Sequence, residues 1–183
     1  EEDLQGFDAV AHLAELSNAP LGQQNPGLPH DINHKGSVRM ANLARKAGVK
    51  RFVYMSSCSV YGAGQGEDVL DETSPVNPQT AYAECKVAVE NDLTPMNEKD
   101  FTTCFMRNAT AYGASPRQRF DIVLNDLCGL AWTTKEIKLM SDGSPWRPLV
   151  HALDMCQAIY CALHADQDAI AGQKMNVGSS EQN

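Results

Sequence analysis

Arg51-Phe-Val-Tyr-Met-Ser-Ser-Cys-Ser-Val-Tyr-Gly62, taken with Tyr82-Ala-Glu-Cys-Lys86 further along, decides how the rest of the chain is read. Phe52 to Met55 is a short apolar run, the pattern of a parallel strand covered on both faces. It delivers Ser56, Ser57 and Ser59 to its carboxyl end, the edge at which open α/β sheets bind ligands. Pro75 and Pro78 halt the chain before a helical segment that carries Tyr82 and Lys86. Four residues apart on a helix, the phenol and the ammonium share one face. A free phenol titrates near about 10, and a cation a few ångströms away favours the phenolate. Such a tyrosine can take the proton of a substrate hydroxyl while a serine holds the oxygen. Oxidising an alcohol also removes a hydride, which no side chain accepts, so a nicotinamide cofactor is implied. The Tyr82 to Lys86 spacing alone also fits a surface helix pair; its place after the serine-rich strand end gives it weight.

The motifs then continue in order. Asp71-Glu-Thr-Ser-Pro-Val-Asn-Pro78 precedes the tyrosine, and Arg107-Asn-Ala-Thr-Ala-Tyr-Gly113, Asp142-Gly-Ser-Pro-Trp-Arg-Pro-Leu-Val-His151 and Met175-Asn-Val-Gly178 follow it. Together these resemble the extended short-chain dehydrogenase/reductases, specifically the NAD-dependent sugar epimerase/dehydratase family, over nearly the whole chain. The resemblance implies an α/β fold: part of a doubly wound, Rossmann-like parallel sheet with part of a small substrate lobe. It implies Ser57 as the anchor of the reacting oxygen, Tyr82 as the base, and Lys86 as the group that lowers the phenol's pKa and holds the cofactor ribose. Leu13 and Ala14 carry over as backbone contacts to the nicotinamide half of NAD, with NADP left open, and Asn33 as a neighbour of the nicotinamide ribose. Substrate contacts carry over to Thr110, where family members often have asparagine, to Asn125, and to Arg147 for a sugar nucleotide's phosphates. Arg119 is a further diphosphate candidate because guanidinium forks suit phosphate oxygens, and a surface salt bridge explains it equally well. A homodimer through the helices near 31–47 and 79–94 also belongs to the resemblance.

The implied reaction is NAD-dependent epimerisation of a nucleotide sugar, in which a hydroxyl is oxidised to a transient ketone and hydride is returned. Family dehydratases follow the alcohol anchor with an Asp-Glu pair, whereas Cys58-Ser59 stand here. A reductase, a decarboxylase or a dehydratase of the same family stays open. So does a non-catalytic remnant that binds partners or dimerises. No Gly-x-x-Gly-x-x-Gly precedes the serine-rich strand, although the family cradles the dinucleotide pyrophosphate with such a turn. The chain is therefore expected to be an internal fragment of a longer enzyme. Its expected parts are the C-terminal portion of the NAD-binding domain over 1–116 and, over 117–183, a segment that starts the substrate lobe and returns elements to the sheet. A bared apolar first strand would favour assembly with another chain.

The remaining elements follow from local signals. Phe7 to Ala14 reads as a buried strand, with His12 a packed residue of it. Asn18 to His30 reads as loop, and Asp31 as the cap of a helix that runs to Ala47 and ends at Gly48. Phe101 to Met106 is expected as a strand, Phe120 to Trp132 as a helix, Ile137 to Met140 and Pro148 to His151 as short strands, and Gln173 to Val177 as a last strand. Asp154 reads as the cap of a final helix.

At 183 residues with a net charge of -8, the chain is long enough for one core, and its acidity argues against a nucleic-acid or anionic-membrane surface. No apolar run approaches the roughly 18 residues of a membrane span. Cys58, Cys85, Cys104, Cys128, Cys156 and Cys161 form no Cys-x-x-Cys pair, which fits reduced thiols in a cytoplasmic protein and gives no metal site.

Overall fold

The computed structural model describes residues 2–17, 25, 27–62, 69–139, 141–143 and 146–179. Most of the expected loop at 18–30, residues 63–68 and the expected strand end at Met140 lie outside the described residues.

The main sheet is parallel. Strands β1 (Ala9–His12), β2 (Arg51–Ser57) and β3 (Thr102–Asn108) lie side by side, and the last strand of the chain, Lys174–Val177, joins beyond β3. Between them in sequence, β4 (Thr110–Tyr112) and β5 (Leu149–His151) form a separate parallel pair, so the final strand is β6. The connections are helical. A run from Gly27 to Lys46, here α1, consists of a turn Gly27–Pro29, a π-type stretch His30–Gly36 and a regular helix Ser37–Lys46. It is followed by α2 (Ala81–Leu93), α3 (Val123–Thr134), α4 (Ala152–His164) and the short α5 (Gln167–Ile170).

Strand β2 explains the layering. Its alternate side chains face opposite ways, and both sets are buried. Phe52 and Tyr54 join Ala41 and Ala44 of α1 and Val89 and Leu93 of α2 in one core. Val53 and Met55 join Cys104, Met106, Ala162 of α4 and Ile170 of α5 in the other. Helices on both faces are what a parallel sheet requires. Arg51, at the start of β2, ties the second layer down by donating to the carbonyls of Ala162 (2.7 Å) and Ala165 (2.8 Å), groups that a helix end would otherwise leave unpaired.

Helix ends follow local chemistry. Gly48, at φ +85°, closes α1 as expected. Its N–H donates to the carbonyl of Arg45 and that of Val49 to Ala44, both at 3.1 Å, the Schellman arrangement. Thr80 caps α2, its hydroxyl accepting from the N–H of Ala83 at 3.2 Å. Asp31 is not a cap: the helix begins earlier, at Gly27, and the Asp31 carboxylate accepts from Lys35 one turn on, at 2.7 Å. Asp154 is not one either, because His151 precedes α4 and its ring nitrogen accepts from Leu153 at 3.3 Å.

Two strand expectations and one helix boundary change. The Phe7 to Ala14 strand contracts to Ala9–His12, with Phe7 and Leu13 exposed. Ile137 to Leu139 is exposed and not strand, since apolar alternation without a neighbour to pair with leaves nothing to hold it extended. The Phe120 helix begins only at Val123. Among the described residues no helix is long and apolar enough to cross a membrane, and no group of three or more His, Cys, Asp or Glu is placed to hold a metal ion.

Candidate active site

The carboxyl ends of β1, β2 and β3 meet at one rim, in register Ser57 against Asn108 and His12 against Tyr54. Helix α2 passes this rim. Ser57, the last residue of β2, is extended (φ -149°, ψ 145°), and its hydroxyl accepts from the N–H of Ser59 at 3.2 Å, starting the short turn Cys58–Tyr61. The Ser57 hydroxyl lies beside the Tyr82 phenol and favours its ionised form. The Lys86 ammonium lies 5.2 Å from the centre of the Tyr82 ring and 4.7 Å from that of Tyr54. Alcohol, phenol and ammonium are thus brought to one place.

Val60-Tyr61-Gly62 has a separate reason at each position. Val60 is core, and Gly62, at φ +70°, leaves no room for a Cβ, which would fall 2.1 Å from the carbonyl oxygen of Asn77. The Tyr61 hydroxyl accepts from Arg107 Nη1 (2.9 Å) and donates to Asn176 Oδ1 of β6 (2.7 Å). Arg107, expected only as part of a rim motif, is buried in β3. It binds Glu90 of α2 through two bonds, Nη2 to Oε2 at 2.7 Å and Nε to Oε1 at 3.0 Å. The Ser56 hydroxyl donates to the same carboxylate at 2.6 Å. This network fixes α2, and with it Tyr82 and Lys86, against β2, β3 and β6.

Lys86 is nearly enclosed, its side chain 3% exposed. It donates to the carbonyl of Met55 and is paired with Glu15 Oε2 at 2.5 Å. Glu15, just past β1, also accepts from the Tyr54 hydroxyl at 2.5 Å, and its side chain is only 4% exposed. The electrostatics follow. Burial pushes the Tyr82 phenol above its ordinary value and the Glu15 carboxylate adds to that, while the Ser57 hydroxyl and the Arg119 charge pull the other way. Burial lowers the Lys86 ammonium, with Glu15 chief among the groups opposing it. The expectation that Lys86 lowers the Tyr82 pKa is therefore not met in this arrangement, because a carboxylate in contact with the ammonium cancels its field at the phenol.

The other anticipated residues divide. Leu13 and Ala14 lie exposed on the rim directly after β1. Asn33 does not reach toward a ribose. It is fully buried, its Oδ1 accepting from the Leu16 N–H (2.7 Å) and its Nδ2 donating to the Leu16 carbonyl (3.0 Å), so it clamps the segment that carries Glu15. Arg119 forms the salt bridge that was its alternative reading, donating to Asp121 through two bonds at 2.7 and 3.0 Å and reaching Ser17 Oγ at 3.2 Å. Asn125 donates to the carbonyl of Arg119 at 3.0 Å and so supports that loop. Arg147 is exposed, and its charge reaches the Cys58 thiol beside Ser57. Thr110 is half-buried on β4, facing Leu149 in register. His12 is packed as read, Nε2 3.0 Å from Ser37 Oγ and its ring stacked on Tyr54.

Sequence reasoning missed Glu15, Tyr54 and Glu90. Glu90 carried a signal, since it stands four residues after Lys86 on the same helix; Glu15 carried only the oddity of a lone acid between Ala14 and Leu16 at a buried strand's end. A surface hollow lined by Arg45, Lys50, Glu98, Asp100 and Gln167 lies at the amino ends of the strands, opposite the rim, and within it Arg45 pairs with Glu98 at 3.1 Å.

The nicotinamide and ribose half of a dinucleotide fits the rim. Leu13 and Ala14 are open, and a hydroxyl, a phenol and an ammonium converge beside them.

Comparison with known proteins agrees in scope. Residues 2–178 match the model of the NAD dependent epimerase/dehydratase family. The UDP-glucose 4-epimerase of Mycolicibacterium smegmatis is 32% identical over 180 residues, covering 94% of this chain and 55% of the relative. The mouse dTDP-D-glucose 4,6-dehydratase is 26% identical over 179 residues, covering 97% and 49%. Among solved structures, MoeE5 in complex with UDP-glucuronic acid and NAD superposes with a TM-score of 0.85 at 25% identity, covering 97% of this chain and 58% of MoeE5. DesIV from Streptomyces venezuelae, a dTDP-glucose 4,6-dehydratase with NAD bound, gives 0.82 at 25% identity, covering 97% and 53%. The chain spans about half the length of these relatives.

Proposed function

Because the chain belongs to the NAD dependent epimerase/dehydratase family, we propose that it carries the acid–base centre of a nucleotide-sugar epimerase. Bound NAD would supply the hydride acceptor and return the hydride. Ser57 holds the reacting sugar oxygen, and Tyr82, whose phenol lies beside the Ser57 hydroxyl, takes that oxygen's proton and gives it back. Lys86, released from its present partner, holds the nicotinamide ribose and places a positive charge under the phenolate. Leu13 and Ala14 border the nicotinamide through their backbone. Arg147 and Arg119 are the contacts proposed for a sugar nucleotide's phosphates, with Thr110 and Asn125 as further substrate contacts. Arg119 must exchange Asp121 for a phosphate to do so.

The observation that carries the reading is the meeting of Ser57 and Tyr82 with Lys86 over the tyrosine ring. The epimerase is favoured over the 4,6-dehydratase because Cys58 and Ser59 occupy the turn after Ser57, and neither is an acid that could drive elimination. Six free cysteines suit a reducing compartment such as the cytoplasm.

The test is conversion of UDP-glucose or dTDP-glucose with NAD, read by NMR of the sugar. Tyr82→Phe is expected to lower turnover by about 10²- to 10⁴-fold with little effect on NAD affinity. A chain that binds no NAD at millimolar concentration overturns the proposal for this polypeptide. It would favour the alternative, a non-catalytic remnant, for which the tie between Lys86 and Glu15 speaks.

A further inference from the structure

Two buried cations face the rim from different depths, and each has one carboxylate. Arg107 is matched by Glu90 and Lys86 by Glu15. With both pairs closed, the cation among the described residues whose field still reaches the Tyr82 phenol is Arg119, which is itself bound to Asp121. Glu15 is not there by chance of a mobile side chain. Its backbone neighbour Leu16 is gripped at both N–H and carbonyl by the fully buried Asn33, and its own second oxygen receives the Tyr54 hydroxyl.

We infer that Glu15 is a positioning residue that occupies and neutralises the Lys86 ammonium, denying its field to the Tyr82 phenol and its donors to the cofactor ribose, so that the base is formed only when this ion pair opens. The second half of the inference rests on the proposed function; the first half does not. A lysine has three donors, and in this structure they serve the Met55 carbonyl and Glu15. A ribose diol must therefore compete with a carboxylate in direct contact. Conversely, a phenolate at Tyr82 would stand near the negative charge of Glu15 as well as the positive charge of Lys86, and the two fields oppose each other. The raised phenol agrees with this geometry.

The other titratable groups that face this cluster are Tyr54 from β2, His12 from β1, Cys85 and Glu90 from α2, Cys58 from the turn after β2, and Arg119 from the loop before α3. His12 is packed and lowered by burial, then by Lys86. Burial pushes the Cys85 thiol up to about 11 and Tyr54 above its ordinary value. Of these only Arg119 keeps a positive charge in alkaline solution, and it is paired with Asp121.

The experiment is a pH titration of the full chain carrying tyrosine labelled at the oxygen-bearing ring carbon, with the Tyr82 resonance assigned by its loss in Tyr82→Phe. In the native chain Tyr82 is expected to remain a phenol through about pH 10. In Glu15→Gln, which keeps an acceptor for Tyr54, its midpoint is expected at least about one pH unit lower, and NAD is expected to bind about tenfold more tightly. If Glu15→Gln does not fold by circular dichroism, Glu15→Ala gives the same reading, since it too removes the carboxylate. Tyr82 titrating at the same pH with and without Glu15 would overturn the inference. A lowered phenol midpoint without any NAD binding would support the control of Tyr82 by Glu15 and count instead against the proposed function.

Discussion

Helix α2 carries one member of each of two buried ion pairs, and the pairs are built differently. Glu90 and Arg107 meet through two parallel bonds, and the carboxylate also takes the Ser56 hydroxyl while the guanidinium reaches Tyr61. A bidentate arginine with a further donor engaged by a tyrosine is a structural fastening. Lys86 and Glu15 meet at a single point, between two tyrosine rings and beside the exposed Leu13 and Ala14. The difference is also one of chemistry: arginine stays charged under every accessible condition, whereas a buried lysine can give up its proton. One pair holds the helix in place; the other can be opened without dismantling it.

Removing one carboxylate at a time breaks the comparison most directly. Glu90→Ala leaves Arg107 buried, charged and unpaired, and is expected to destabilise the chain by about 3–5 kcal/mol in urea unfolding. A loss below about 1 kcal/mol would mean that the Ser56, Tyr61 and Asn176 contacts hold the strand ends without Glu90.

Glu15→Gln is expected to be milder, roughly 1–3 kcal/mol, because Lys86 can shed its proton. Its signature is in the pH dependence. Lys86 is already lowered in the folded chain, and without Glu15 it falls further. The unfolded chain then binds the extra proton, so the stability of the variant rises as pH increases toward the ordinary lysine value. Native protein is expected to show this slope less strongly, and Glu90→Ala not to gain it. Equal slopes in all three, measured by thermal melts across neutral to alkaline pH, would erase the distinction between the pairs.

The smallest effect sharpens the picture by touching both pairs alike. Thr80→Ala removes the cap of α2 and should destabilise by about 1 kcal/mol. It should leave the Tyr82 titration unmoved; a shift there would mean that the rim pair depends on helix fraying and not on Glu15.

The sequence made the main features legible for physical reasons that are local. An apolar run with serines at its end specifies a buried parallel strand and its functional edge, and a four-residue interval puts Tyr82 and Lys86 on one helical face. Gly48 ends α1 through its positive φ, a signal any chain would give. Misreadings occurred where a neighbour was needed. Ile137 and Leu139 alternate like a strand but find no partner among the described residues, and Asp31 and Asp154 resemble caps but fall inside helices that start earlier. Asn33 was expected beside the nicotinamide ribose, and its use as a clamp on Leu16 could not be read from the residue itself.

Spacing and residue type by themselves determined that a hydroxyl, a phenol and an amine would gather where parallel strands end, because helix and strand periodicity fix which side chains can be neighbours within one element. The charge state of that gathering was settled only by tertiary structure. Glu15 comes from a different strand, and the field it casts on Lys86 and Tyr82 depends on a 2.5 Å contact in a place closed to water, a distance that no pattern along the chain encodes.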